Sequence, residues 1–181
     1  MKRKVLFTLF KSPIGYMGIA WTSKGISRIQ LPEINKPKTR ERLIKNFEYI
    51  FQEQLVADVP AWIYNLINKI NSYFQGECSD FLNVPLDYTG ITPFRKNIYQ
   101  IARSVGFGGV ISYSELAKKS HCKNSARAVG NTMAHNPYAI IVPCHRVLKA
   151  SKKLGGFSAY GGRKTKAKLL NIEGINYTLR V

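Results

Sequence analysis

The chain has 181 residues, 45% of them hydrophobic, enough to fill one sizeable domain or two small ones, and no apolar run approaches the length that spans a bilayer. Lysine and arginine number 28 against 10 acidic residues, a formal net charge of +18, which points to a polyanionic partner: nucleic acid first, an anionic membrane surface second. Cys78, Cys122 and Cys144 are widely separated and follow no zinc or disulfide spacing, which excludes a secreted disulfide scaffold and favours a reducing compartment.

Met1-Lys2-Arg3-Lys4 ahead of an apolar segment has the outline of a signal peptide. The apolar segment stops at Lys11 with no small-residue cleavage site, so Lys4 to Phe10 reads as a strand and the protein is expected in the cytosol or nucleus. Turn residues at Ser12-Pro13-Ile14-Gly15 and Ser23-Lys24-Gly25 separate it from Tyr16 to Thr22 and Ile26 to Leu31, which predicts a three-stranded antiparallel meander. Pro32 and Pro37 break the chain. From Arg40 to Leu55 the residues Leu43, Ile44, Phe47, Ile50, Phe51 and Leu55 recur at helical spacing, which predicts a helix. A second is expected from Asp58, with Pro60 in its first turn, to Gly76, with Trp62, Ile63, Leu66, Ile67, Ile70, Tyr73 and Phe74 in the core.

Turn chemistry at Pro85 to Gly90 coincides with a change in charge density: residues 1–90 carry 12 basic and 8 acidic side chains, residues 91–181 carry 16 and only two, Glu115 and Glu173. This places the boundary between an N-terminal domain, 1–88, and a basic C-terminal domain, 89–181. In the second domain, Thr92-Pro93 opens a helix over Phe94, Ile98, Ile101, Ala102 and Val105 that stops at Gly106 to Gly109. Ser112 and Glu115 form a capping box for a short helix from Tyr113 to Lys119, and a further helix is expected from about Asn124 to Ala134. The pair has the outline of a helix-turn-helix. Ala126, Ala128 and Gly130 around Arg127 leave one long cation on a smooth face, suited to a groove or equally to packing against a neighbouring helix. Leu154 to Gly162 is a glycine-rich loop without the ending of a phosphate-binding loop and reads as a mobile pocket wall; Arg163 to Ile172 is a last helix closed by Glu173-Gly174.

Chemistry concentrates at Ile140 to Val147, where an apolar run meets Pro143 and then Cys144, His145 and Arg146. Proline fixes its own φ and extends Val142, so Cys144 should sit at a fixed turn at the edge of the core. A thiol becomes a nucleophile as thiolate, and His145 and Arg146 are neighbours able to promote that form; an inert buried cysteine is the competing reading.

The motifs Ile141-Val142-Pro143-Cys144-His145-Arg146-Val147, Ala126-Arg127-Ala128-Val129-Gly130, Asn136-Pro137, Gly155-Gly156-Phe157-Ser158 and Leu169 to Gly174 together resemble, in order and spacing, the O6-alkylguanine-DNA alkyltransferases, over essentially all of residues 91–175 and more loosely over the whole chain. The resemblance implies an α+β protein: an N-terminal ribonuclease-H-like antiparallel sheet with helices, and a mainly helical C-terminal domain with a helix-turn-helix. It implies direct-reversal DNA repair, in which O6-alkylguanine, and by extension O4-methylthymine, is flipped out of duplex DNA and its alkyl group moves irreversibly to Cys144 in a single turnover. Cys144 is then the acceptor, His145 a water-linked base, Glu173 the carboxylate that orients it, Asn136 a hinge and Tyr113 an aid to the departing base. Arg127 fills the vacated stack, and Ser125, Ala126 and Gly130 meet DNA with it. Pro143, Val147, Phe157, Ser158 and Tyr160 are implied pocket residues. Ala159-Tyr160 is an insertion relative to the family pattern, which leaves open whether Ser158 or Tyr160 reaches the alkylated oxygen. Some relatives carry zinc in the first domain, but residues 1–77 contain no Cys or His, so no metal and no cofactor is expected, and the partner is double-stranded DNA bound by a monomer. The rival readings are a damage sensor without the nucleophile, a helix-turn-helix regulator and a cysteine hydrolase.

Overall fold

The computed structural model describes residues 4–45, 50–122, 125–151 and 153–177. The chain forms two compact units, one of Met1–Ser79 with Asn83–Asp87, the other of Asp80–Leu82 with Tyr88–Val181.

The first unit is built on β1 (Lys4–Ser12), β2 (Gly15–Thr22) and β3 (Gly25–Gln30), paired antiparallel by the two short turns. Helix α1 (Lys36–Ile44) starts earlier than its apolar spacing suggests, because the Asn35 side chain accepts from the Lys38 amide at 2.9 Å and Pro37 is tolerated in a first turn, where amides lack intrahelical partners anyway. The helix expected to run to Leu55 ends at Ile44. After it comes β4 (Ile50–Glu53), which joins β1 in parallel, so the sheet is mixed and ordered β3-β2-β1-β4. The reason is tertiary: β1 offers an unpaired edge whose amides and carbonyls need partners, and Ile50 and Phe51 suit a strand. Phe47, expected in the helical stripe, lies outside the described residues.

Val5, Phe7, Leu9 and Ala20 form a core with Leu43 of α1. The helix lies so close to β2 that a Cβ on Gly18 would come within 2.8 Å of Leu43, so glycine is the residue that fits there. Helix α2 (Ala61–Phe74) packs on β1 with Ile63, Leu66, Ile67, Ile70, Tyr73 and Phe74 buried. It starts after Pro60 and not at Asp58, which sits in a separate 3-10 turn, since a proline holds the residue before it extended and interrupts any helix that would cross it. Trp62 and Leu55, expected in the core, are 37% and 73% exposed; Trp62 lies off the buried stripe of α2.

The second unit begins with α3 (Pro93–Arg103), capped by the Thr92 side chain. Arg103 of α3 donates to the carbonyls of Phe81 and Leu82, which ties that short segment to this unit. A two-residue strand, β5 (Ile111–Ser112), pairs in parallel with β6 (Val147–Leu148). Between them lie α4 (Tyr113–Lys119), with the Ser112/Glu115 capping box formed, and α5 (Ala126–Ala134); α6 (Arg163–Ile172) closes the unit. The expected start of α5 at Asn124 lies outside the described residues, and Ser125 precedes the helix without a side-chain cap bond. No described helix is long and apolar enough to cross a membrane.

Candidate active site

Cys144 opens a 3-10 turn, Cys144–Arg146, whose approach is fixed by a chain of short-range bonds. Asn136 leaves the end of α5 and clamps the approach twice: its Nδ2 donates to the Val142 carbonyl at 2.8 Å and its Oδ1 accepts from the Tyr138 amide at 2.9 Å. Within that clamp the Ile141 amide donates to the Ala139 carbonyl at 2.9 Å across Ile140, whose φ of 71° is a left-handed conformation that a β-branched residue rarely adopts. Such strain costs of the order of 1–3 kcal/mol and persists where the surroundings over-determine it, as the Asn136 clamp and the burial of Ile140 do here. From the other side, the Tyr99 hydroxyl of α3 donates to the Thr132 carbonyl at 3.2 Å, anchoring the C-terminal end of α5. Burial is the main reason the Tyr99 phenol is pushed up to about 12, which keeps it a donor.

Cys144 is 9% exposed and sits in a cleft of about 440 Å³ shared with Tyr113 of α4, Gly130, Met133 and Ala134 of α5, Lys149, and the loop Gly155 to Ser158. The Tyr113 ring is held between α5 and that loop: a Cβ on Gly130 would meet it at 3.9 Å and one on Gly155 at 3.5 Å. Gly155 also has a φ of 67°, so only glycine brings the loop this near without strain. On α5 the buried face is Val129, Thr132 and Met133, while Arg127, Ala128 and Asn131 are exposed and Ala126 and Gly130 are half-buried, so the single long cation is turned to solvent. Arg127 has no ion-pair partner among the described residues.

Behind the cleft His145, Arg146 and Glu173 form a closed buried group. His145 Nε2 donates to Glu173 Oε1 at 2.6 Å, Arg146 grips both carboxylate oxygens at 2.9 and 3.0 Å, and the Gly108 amide adds a bond at 3.2 Å. Burial alone would raise Glu173, but the bonds and charges of His145 and Arg146 outweigh it and hold the carboxyl down to about 2. Burial lowers His145 against the pull of Glu173, so the imidazole is neutral with its proton on Nε2 and its lone pair on Nδ1. At Cys144 burial pushes the thiol up, opposed by the Asn136 side chain and then by the charge of Lys166. Among the described residues no group of His, Cys, Asp and Glu is placed to hold a metal ion.

The cleft brings together Cys144, Tyr113, Gly130, Phe157 and Ser158. It does not include Pro143 and Val147, which are buried behind it, nor Tyr160, which is 49% exposed with its carbonyl accepting from the Thr165 hydroxyl at 2.5 Å. Ser158 is therefore the hydroxyl of that loop at the cleft. Sequence reasoning missed three residues. Arg146 is the structural partner of Glu173, not merely a neighbour of the thiol. Lys149 stands at the cleft wall. Lys166, on the helix that packs on the Cys144 turn, is fully buried and donates to the Val147 carbonyl at 2.6 Å. Its position in α6, among the buried residues Ala167, Leu169 and Leu170, was the available signal.

Residues 93–175 match the family model described as 6-O-methylguanine DNA methyltransferase, DNA binding domain, and residues 5–88 match that described as 6-O-methylguanine DNA methyltransferase, ribonuclease-like domain. A methylated-DNA–protein-cysteine methyltransferase of Mycobacterium tuberculosis is 40% identical over 114 residues, 63% of this chain and 67% of its own. The protein of the same name from Haemophilus influenzae is 32% identical over 171 residues, 94% of this chain and 87% of its own. Among solved structures, Mycobacterium tuberculosis OGT in complex with DNA superposes with a TM-score of 0.76 at 30% identity, covering 93% of each chain.

Proposed function

The chain belongs to the 6-O-methylguanine DNA methyltransferase family, whose work is DNA repair by alkyl transfer, and from that premise we propose how its own residues carry the reaction out. An O6-alkylguanine leaves the duplex, Arg127 enters the gap, and the exposed face of α5, with Ser125, Ala126 and Gly130, lies along the groove. The base enters the cleft beside Tyr113, with the Ser158 hydroxyl able to donate to its O6. The sulfur of Cys144 attacks the alkyl carbon. A carbon–sulfur bond forms as the carbon–O6 bond breaks, and the electron pair goes to the purine, which Tyr113 and Ser158 stabilise by hydrogen bonds. The thiol proton passes through a bridging water to the Nδ1 lone pair of His145, whose other nitrogen Glu173 holds. The product on Cys144 is a thioether, so each molecule acts once.

The observation that carries this reading is the placement of a clamped cysteine in a base-sized cleft directly beside the exposed Arg127 helix. Double-stranded DNA bearing alkylated guanine is the partner, bound by a monomer in the cytoplasm or, in a nucleated cell, the nucleus. The test is incubation with a duplex containing O6-methylguanine, followed by intact mass and peptide mapping. One methyl on Cys144 is expected; a methyl on Cys78 or Cys122, or none, overturns the assignment.

A further inference from the structure

The first unit carries a cleft of its own, of about 710 Å³, which shares no residue with the one at Cys144. It follows from the pleat of the sheet. Leu6 of β1 and Trp21 of β2 stand opposite each other across the strands, one position out of phase with the core residues Phe7 and Ala20, so both project from the other face. The β2–β3 turn and the start of α2 line the cleft with them. That turn is held in place: the Ile26 amide donates to the Pro85 carbonyl and the Asp87 amide to the Ile26 carbonyl, each at 2.8 Å, and the Thr22 hydroxyl donates to Asp87. A Cβ on Gly25, at a φ of 127°, would come within 2.4 Å of the Pro85 oxygen, so glycine lets the two segments meet.

The unpartnered polar groups of the cleft are donors, and no acidic residue lines it. Lys4 and Lys24 are exposed and form no ion pair among the described residues. Trp21 keeps only 3% of its surface, and its indole N–H finds no acceptor among the described residues without being sealed from solvent. Helix α2 begins after Pro60 with no side-chain cap and no acidic residue in its first turn, and the amides of Ala61 and Trp62 have no backbone acceptor among the described residues. Such a start presents free donors and a partial positive charge. A nearly buried donor, two ammonium groups and an uncapped helix start on one cleft suit an acceptor-rich anion. Leu6, Pro60 and Trp62 beside them suit an apolar body.

We propose that this cleft docks an acidic segment of another protein. An apolar side chain of the segment sits against Leu6, Pro60 and Trp62, and its flanking carboxylates meet Lys4, Lys24, the Trp21 N–H and the first amides of α2. The proposal does not rest on alkyl transfer. The chemistry favours a peptide over nucleic acid: a duplex has no apolar projection to fill the cleft, and an unstacked base needs open aromatic faces, whereas Trp21 is covered and Trp62 is 37% exposed. A polypeptide brings both parts at once, and a chain of net charge +18 attracts an acidic one.

The test is fluorescence anisotropy of a labelled peptide, Asp-Asp-Phe-Pro-Asp-Asp, with the full chain at about 0.15 M salt. Replacing its aspartates by asparagines, or its Phe-Pro by Ala-Ala, should weaken binding at least about tenfold, as should Lys24→Glu or Trp62→Ala in the protein. Trp21→Phe, which keeps a ring and loses the N–H, should weaken it about threefold or more. Lys11→Glu, an equal change of charge on an exposed residue outside the cleft, should shift affinity by less than about twofold. Should Trp21→Phe fail to fold, Lys24→Glu and Trp62→Ala decide, since both change exposed side chains. A peptide that binds no more tightly than its asparagine form overturns the proposal, and so does a loss in Lys11→Glu equal to that in Lys24→Glu, because the attraction is then general. A labelled oligothymidylate that binds more tightly than the peptide and is released by Trp62→Ala makes the cleft a nucleic-acid site and overturns it as well.

Discussion

Glu173 is one of two acidic side chains in residues 91–181, and it is buried against His145 and Arg146. Because Arg146 grips both oxygens, the amide of a Glu173→Gln variant must turn its NH₂ toward a guanidinium donor in either orientation. Glu173→Gln is therefore expected to weaken the fold as well as slow alkyl transfer. The sign in pH follows from the carboxyl's position: held at about 2 against an ordinary 4.5, it contributes stability fully present above about pH 4.5 and lost as pH falls through 2. The contribution is of the order of 3 kcal/mol. Urea unfolding at neutral pH should separate the variant from the native chain by about that amount, and the gap should close toward pH 2; a gap independent of pH would show that the carboxylate charge is not what holds the group. Asn136→Ala removes the clamp on Cys144 and leaves the Val142 carbonyl and Tyr138 amide without their side-chain partner, a loss of about 2–4 kcal/mol. Transfer should fall further than stability, since the strained turn at Ile140 is then free to relax and the sulfur loses its aim. Equal unfolding midpoints for the variant and the native chain would remove the hinge from the account. At this scale a position was legible without its environment: Pro143-Cys144-His145 marks a fixed thiol, but nothing adjacent indicates that Glu173 is shared with Arg146 or that Lys166 is enclosed and bonded to Val147, because those partners lie 27 and 19 positions apart along the chain.

Element boundaries were legible where a side-chain cap or a glycine closes the backbone. Thr92-Pro93, the Ser112/Glu115 box and Gly174 each end or begin a helix where local chemistry says so. They were illegible where tertiary pairing decides. Ile50 and Phe51 fit a helical stripe as well as a strand, and only the free edge of β1 selects the strand. Helix α5 shows both cases: its spacing gives the buried Val129 and Met133, while the role of its small-residue face depends on what lies against it. Gly130 lies against the Tyr113 ring of α4, whereas Arg127 and Ala128 are open to solvent, so packing against a neighbouring helix accounts for the glycine and not for the cation. If Arg127 fills the vacated stack as proposed, Arg127→Ala should slow repair at least about tenfold while leaving affinity for undamaged duplex within about twofold, because an exposed cation is only one of many phosphate contacts. The comparison is single-turnover rate against binding at two salt concentrations. Equal losses in the two measurements would reduce Arg127 to an ordinary phosphate contact.

For the molecule as a whole, the open question is whether it can act more than once. A methylated Cys144 has no ionisable proton and a poor leaving group, and neither Cys78 nor Cys122 borders the cleft to take the methyl away. Glu173, the only carboxylate of the site among the described residues, is engaged with His145 and Arg146 and offers no base to a hydrolytic water. Product should therefore appear as a burst equal to the concentration of active protein and then stop with damaged duplex in excess. The same alkylation should be visible in stability. Cys144 is nearly enclosed, on a turn already strained at Ile140, and an added methyl has to displace neighbours or break the bond between the sulfur and Asn136. Overfilling a packed site and removing a hydrogen bond each cost of the order of 1–3 kcal/mol, so the methylated protein should melt several degrees lower. Both readouts can be taken from one reaction mixture, product per protein by mass and melting by calorimetry. Linear turnover past one equivalent would require a route that strips the methyl from Cys144, and an unshifted melting temperature would mean that the 440 Å³ cleft accepts the methyl without strain.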